Sequence, residues 1–317
     1  MSNLRKGFSI VVLPDSQRYV EDGFRKERLH CLQKQIDWII GNAERYNIRF
    51  VSHVGDFTHH RSSAAEREAF FECVRKLEGK IPFGFCAGNH DILLGEKAAE
   101  LIAARGKTAD PADYDHPEVQ AIQDEAMKRL RKQPGWIGDI NGGNTSAQLF
   151  ETDAGTFCAV HLEYGPTDET LAWARAVLEK HAECPAFLTT HMFLTPEEPQ
   201  MVTSRSSRLS TLQNNMVSPG ENAGTDILEK LIAPCGNLKM VFCGHYSDEC
   251  RMTIKLNGRR ICAMQMDYEL EQPYRGNGWL RLVTVSPNEG TLTASTYSPV
   301  FDAWRLRDKS DFTMEWL

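Results

Sequence analysis

The sequence predicts an α/β fold, and three observations point there. Short apolar runs alternate with helical patterns through the first half, the part after His245 reads as strand and turn almost throughout, and several apolar runs stop abruptly in polar clusters. The first run, Ser9–Leu13, ends at Pro14-Asp15 and reads as a strand covered on both faces. A helix is predicted from about Gly23 to Tyr46, with Leu29, Leu32, Ile36, Ile39 and Ile40 on one face. Ile48–Val54 is the second strand, a charged helix follows over about Ser63–Leu77, and Ile81–Ala87 is the third strand. That order favours parallel strands with helices on their outer face.

Beyond Asp91 the composition turns polar, with a helix over Glu118–Lys132. The stretch at about 92–144 reads as a helical insertion over the strand ends. Strands resume near Ala147–Glu151 and Phe157–Leu162, and a helix spans Thr167–His181, its first turn carrying Asp168 and Glu169 as a helix N-terminus prefers. Pro185–Thr190 and Leu238–Cys243 are further strands, with a loop over Thr195–Ala223 between them. From about 246 the chain is β-rich: Arg251–Leu256, Arg259–Met264, Trp279–Val285 and Thr291–Tyr297, joined by turns such as Asn257-Gly258. A single domain over 1–317 is expected.

The bulk properties narrow the function classes. The chain has 317 residues, 41% hydrophobic and 25% charged, enough for a core that needs no disulfide or structural metal. A formal net charge of −7 gives nucleic acid no general attraction. No apolar run approaches the roughly 18 residues that span a bilayer, so no membrane partner is expected. Phe8–Leu13 is too short for the core of a signal peptide. The nine cysteines are scattered without a C-x-x-C pair, and several fall in predicted core strands, which reads as reduced thiols and a cytoplasmic location.

The chemistry gathers where strands end. Leu13-Pro-Asp15-Ser-Gln17, Gly55-Asp56, Gly88-Asn-His-Asp91, Thr189-Thr-His191 and Gly244-His245 each follow an apolar strand. In an open α/β sheet ligands bind beyond the carboxyl ends of strands, so distant residues converge there. Carboxylates, imidazoles and amides make a mixed O/N donor set suited to manganese, iron, zinc or magnesium. Each element alone is weak. Gly-Asp is most often a turn, and a strand-end histidine is more often structural than a ligand. All five in order, each after a strand, are poorly explained by separate accidents.

That ordered set resembles the calcineurin-like metallophosphoesterase superfamily. Further stretches, Leu13-Pro-Asp-Ser-Gln17, Leu162-Glu-Tyr-Gly-Pro166, Gly276-Asn-Gly-Trp-Leu-Arg281 and Thr296-Tyr-Ser-Pro299, are similar to a bacterial branch with a Leu-Pro-Asp-(Ser/Thr)-Gln opening. The resemblance implies a four-layer α/β/β/α sandwich of two mixed sheets. It also implies a centre for one or two divalent ions and hydrolysis of a phosphate mono- or diester. Asp56 would bridge the ions, Asn89, His191 and His245 would complete one site, and Asp15, with Gln17, would head the other. A hydroxide held by the ions would attack phosphorus while His90 protonates the leaving oxygen, with Asp91 orienting the imidazole. The chain departs from the pattern twice, both times at the Asp15 site. Gln17 and Ser247 stand where imidazoles are usual, and Asp248, one residue further on, would point to the opposite side of an extended segment. A degenerate module that binds one ion without turnover is therefore the alternative.

His53 reads as a core histidine. His59, His60 and Asn144, and more weakly Tyr164 and Arg205, are candidates to contact the substrate, expected to be a small or medium phosphate ester.

Overall fold

The computed structural model describes residues 7–93, 116–197, 199–203 and 222–315. Three parallel strands form early, β1 (Phe8–Leu13), β2 (Ile48–His53) and β3 (Phe83–Phe85). They pair in register Leu13↔His53 and His53↔Phe85, so their carboxyl ends lie side by side. Between them run α1 (Gln17–Val20), α2 (Arg25–Gly41) and α3 (Ala64–Val74). Ser63 caps α3 by accepting the Glu66 N–H at 3.2 Å, and Pro117 opens α4 (Pro117–Leu130) where its missing N–H costs nothing.

The second sheet begins with β4 (Trp136–Ile140), β5 (Thr145–Thr152) and β6 (Gly155–Leu162). After α5 (Asp168–Lys180) come β7 (Ala186–Thr190), the short hairpin β8 (Leu194–Thr195) and β9 (Gln200–Met201), α6 (Gly224–Ile227), β10 (Leu238–Cys243), β11 (Asp248–Leu256) and β12 (Arg259–Asp267). The chain then returns to the first sheet through β13 (Leu280–Ser286), β14 (Thr291–Ser298), β15 (Ala303–Trp304) and β16 (Asp311–Glu315). The first sheet runs β15-β14-β13-β1-β2-β3, with β16 also on β14, and the second β11-β12-β10-β7-β6-β5-β4. Both mix parallel and antiparallel pairs.

Alternation along each strand builds the layers. Val11 and Leu13 face outward onto Leu32 and Ile36 of α2 and Phe70 of α3, whereas Ile10 and Val12 face inward, where Phe50, Phe187, Phe242 and Met264 close the space between the sheets. On the far side Val160, Leu188 and Val241 pack against Leu171 and Leu178 of α5. The result is helix, sheet, sheet, helix.

Some expectations shift at their edges. The strand expected over Arg259–Met264 continues to Asp267 in antiparallel register with β11. Part of the expected insertion is sheet, since β4 pairs with β5. Residues 94–115 of that insertion, much of the loop at 195–223 and Arg205 fall outside the described residues.

Candidate metal centre

All five strand-end motifs lie on one edge of the sandwich. Asp15 follows β1, Asp56 follows β2, Asn89 follows β3, His191 follows β7 and His245 follows β10. The turns that bring them together are strained and tightly packed. Asp56 (φ 52°) and His245 (φ 74°) occupy the left-handed region that non-glycine residues rarely visit. A Cβ on Gly88 would lie 2.1 Å from Asp56 Oδ1, and one on Gly244 2.0 Å from Asp15 Oδ1, so only glycine lets the backbone approach these carboxylates.

His191 is at the centre of one cluster. Its Nδ1 lies 2.9 Å from the Val54 carbonyl, which can only accept, so Nδ1 carries a proton. Its Nε2 faces Asn89 Oδ1 at 3.1 Å, His245 Nδ1 at 3.2 Å and Asp56 Oδ2 at 3.3 Å. Adjacent donors on an ion bound at about 2.0–2.2 Å sit about 3.0–3.5 Å apart, so His191 Nε2 stands at donor-to-donor spacing from each of its three neighbours. Burial opposes charge on His191, yet the Asp56 carboxylate raises its pKa above the ordinary value. Burial and the neighbouring His191 push His245 down to about 3, leaving a neutral ring with a lone pair to offer. Burial likewise opposes ionisation of Asp56, but His191 and His90 hold its pKa well below the usual carboxylate range. An anion, two imidazoles and an amide oxygen around one point suit a divalent cation. Tyr164 walls the cluster, its ring 5.5 Å from His245 and 5.9 Å from His191.

His90 stands beside the cluster. Its N–H donates to Asp56 Oδ1 at 2.9 Å, and its Nδ1 donates to the His59 carbonyl at 2.7 Å. The ring of His59 stacks on it at 5.3 Å, and the Arg18 guanidinium donates to His59 Nε2 at 3.0 Å. The expectation that Asp91 orients this imidazole is corrected. The Asp91 carboxylate accepts from the N–H groups of Phe57, Thr58 and Gly88 and from the Thr58 hydroxyl, so it braces the two loops while a carbonyl orients His90. Burial, then the Asp56 charge, push Asp91 up to about 6.

The other half of the site is built of carboxylates. Both oxygens of Asp15 face the His245 N–H, at 3.2 and 3.4 Å. Gln17 Nε2 donates to Glu269 at 2.7 Å, while its Oε1 is buried without a hydrogen-bond partner. Ser247 Oγ donates to Asp267 at 3.2 Å. Burial and then Asp267 raise the pKa of Asp15 well above its ordinary value, and burial and then Glu269 push Asp267 up to about 7. Asp248 is half exposed and paired with Lys309 at 2.9 Å.

Of the substrate candidates, His59 lines the site beside His90. His60 is mostly exposed and bound to Glu66 at 2.8 Å. Asn144 acts through its backbone, its carbonyl accepting the Ala87 N–H at 3.2 Å just before the Gly88 loop. His53 is a fully buried core residue that bonds Ser16 at 2.8 Å. Sequence reasoning missed Asp267, Glu269 and Arg18. Asp267 carries the same signal as the others, a carboxylate at the end of an apolar strand, hidden because the polar Gln265 ends the apolar run at Met264.

Among the described residues no helix is long and apolar enough to cross a membrane. No family model matches the chain. It is 26% identical over 300 residues to the uncharacterized protein YvnB of Bacillus subtilis (strain 168), covering 92% of this chain and 20% of YvnB. It is similar in structure to purple acid phosphatase PPD1 from yellow lupin (Lupinus luteus) seeds, with a TM-score of 0.59 at 11% identity over 99% of this chain and 55% of that one. The chain thus spans a fifth of its bacterial relative and just over half of the plant phosphatase. Its two mixed sheets between helical layers have the metallophosphatase fold.

Proposed function

We propose that this chain is a metal-dependent hydrolase of small or medium phosphate mono- or diesters. One observation carries the reading: His191 Nε2 faces Asn89, His245 and Asp56 at 3.1 to 3.3 Å, a grouping of acceptors that a cation reconciles. Asp56, Asn89, His191 and His245 would hold one ion, and Asp15 faces the region of a second. Divalent ions there, manganese, iron, magnesium or zinc, would supply an electrophilic centre for phosphate oxygen and acidify a water. The remaining chemistry belongs to the chain. With Nδ1 given to the His59 carbonyl, His90 keeps Nε2 for the proton that the leaving oxygen takes. Arg18, paired with Glu269 and Glu21, holds the His59 ring that stacks on His90.

The test is reconstitution of metal-stripped protein with each ion, assayed on nitrophenyl mono- and diesters beside His90→Ala. Turnover well above that variant is expected, and none with any ion overturns the proposal. The absence of imidazoles at Gln17 and Ser247 favours one other reading, a module that binds an ion and a ligand without turnover. Tight ion binding with no hydrolysis would select it.

A further inference from the structure

The two residues that stand in place of imidazoles both turn toward one segment. Ser247 Oγ donates to Asp267 Oδ2 at 3.2 Å, and Gln17 Nε2 donates to Glu269 Oε2 at 2.7 Å. Asp267 ends β12 and is fully buried, and β12 lies parallel to β10, whose far end delivers His245. Its carboxylate therefore emerges on the same edge as the ligands already described. Gln17 is 2% exposed, and its Oε1 has no partner. The N–H groups of Ser16 and Gln17 both donate to the Asp56 carbonyl, at 3.1 and 2.8 Å, which fixes the glutamine between Asp56 and the Asp267–Glu269 segment. Of the acidic groups here, Glu269 has a cation, Arg18 at 3.0 Å. Asp15 and Asp267 have only N–H and O–H donors. Buried carboxylates of like charge need a counter-charge.

We propose that Asp267 is a metal ligand. With Asp15, Asp56 and the Gln17 carbonyl oxygen it forms an all-oxygen site for a hard divalent cation, magnesium or manganese, beside the imidazole-rich site. Where imidazoles are usual, Ser247 instead holds the Asp267 carboxylate and Gln17 holds Glu269 two residues further on. The donor type sets the preference, since carboxylate and carbonyl oxygens favour magnesium and manganese where imidazoles favour zinc and iron. Among the described residues Asp56, His191 and His245 come within 4.8 Å of one another, whereas Asp15, Asp56 and Asp267 do not. The oxygen site therefore closes onto its ion by side-chain rotation, and it binds more weakly than its neighbour. The inference rests on the reading that Asp56 holds an ion.

The test is metal stoichiometry of the full chain, stripped with chelator and dialysed against manganese. The wild type is expected to bind two ions, the second more weakly. Asp267→Asn should keep the first ion and weaken the second at least tenfold, while Ser247→Ala, which removes only a support, should keep both. Two ions bound equally well by Asp267→Asn would overturn the proposal, as would a wild type that binds only one. A wild type that binds none would instead sink the proposed function as a whole. Asp267→Cys guards against a variant that fails to fold. Cadmium added to it should produce a thiolate-to-metal absorption band in the ultraviolet beyond any that the wild type's nine buried cysteines give. No additional band would also overturn the assignment.

Discussion

The two halves of the site meet at Asp56 but are built on different principles. On one side Asn89 and His245 join the single carboxylate of Asp56 at 3.1 to 3.3 Å from Nε2 of His191, whose ring is anchored on the Val54 carbonyl. One carboxylate among imidazoles and an amide tolerates this proximity, because Asp56 attracts His191 where a second carboxylate would repel it. On the other side stand the carboxylates Asp15, Asp267 and Glu269, and burial with mutual repulsion raises the first two above their ordinary pKa values. Neutral donors can be assembled before an ion arrives, whereas carboxylates need the ion's charge to come together.

The largest effect expected comes from breaking the preassembled half. His191→Ala removes the central donor, so kcat/KM should fall about a thousandfold, equivalent to about 4 kcal/mol of transition-state stabilisation, with loss of the tight ion by metal analysis. His90→Ala should leave ion content unchanged and lower kcat on the order of a hundredfold or more, because only proton transfer is lost. A KM that rose alone, with kcat intact, would remove His90 from the chemistry.

Two buried carboxyl groups outside the cluster sharpen the comparison, since protein donors rather than cations satisfy their oxygens. Asp91 accepts four hydrogen bonds from Phe57, Thr58 and Gly88. Asp91→Asn should cost about 2 kcal/mol in chemical denaturation of chelated protein, with the activity of the folded fraction kept within about tenfold. Glu163, bound by Asn141 and Thr170, is pushed by burial up to about 7 from 4.5. A carboxyl with a raised folded pKa binds more protons folded than unfolded. Its contribution is thus complete below about pH 4.5 and is lost as pH rises through 7. Glu163→Gln should therefore match the wild type at pH 4.5 and exceed it at pH 8, by an upper bound on the order of 3 kcal/mol, with or without chelator. Equal stability at both pH values would show that Glu163 is not held protonated.

Most of the fold was legible because its signals are local. Continuous apolar runs marked β1, β2, β7 and β10 to within a residue or two, and the glycines before Asp56, Asn89 and His245 marked the turns beyond them. The edges that failed depended on partners. β4 is only half-buried and acquires its strand character from β5. β12 extends past the polar Gln265 because β11 pairs with it as far as Asp267.

The same division runs through the site. By itself the sequence determined which donors stand at strand ends, since a strand, a glycine turn and a ligand are contiguous in the chain. Tertiary structure alone decided where each side chain is spent. Asp91 turned from His90 to backbone N–H groups, Asp248 turned to Lys309, and Gln17 met Glu269 across 252 positions of chain. Such partnerships are set by how the two sheets and their connecting segments pack, and separation along the chain carries no record of that packing.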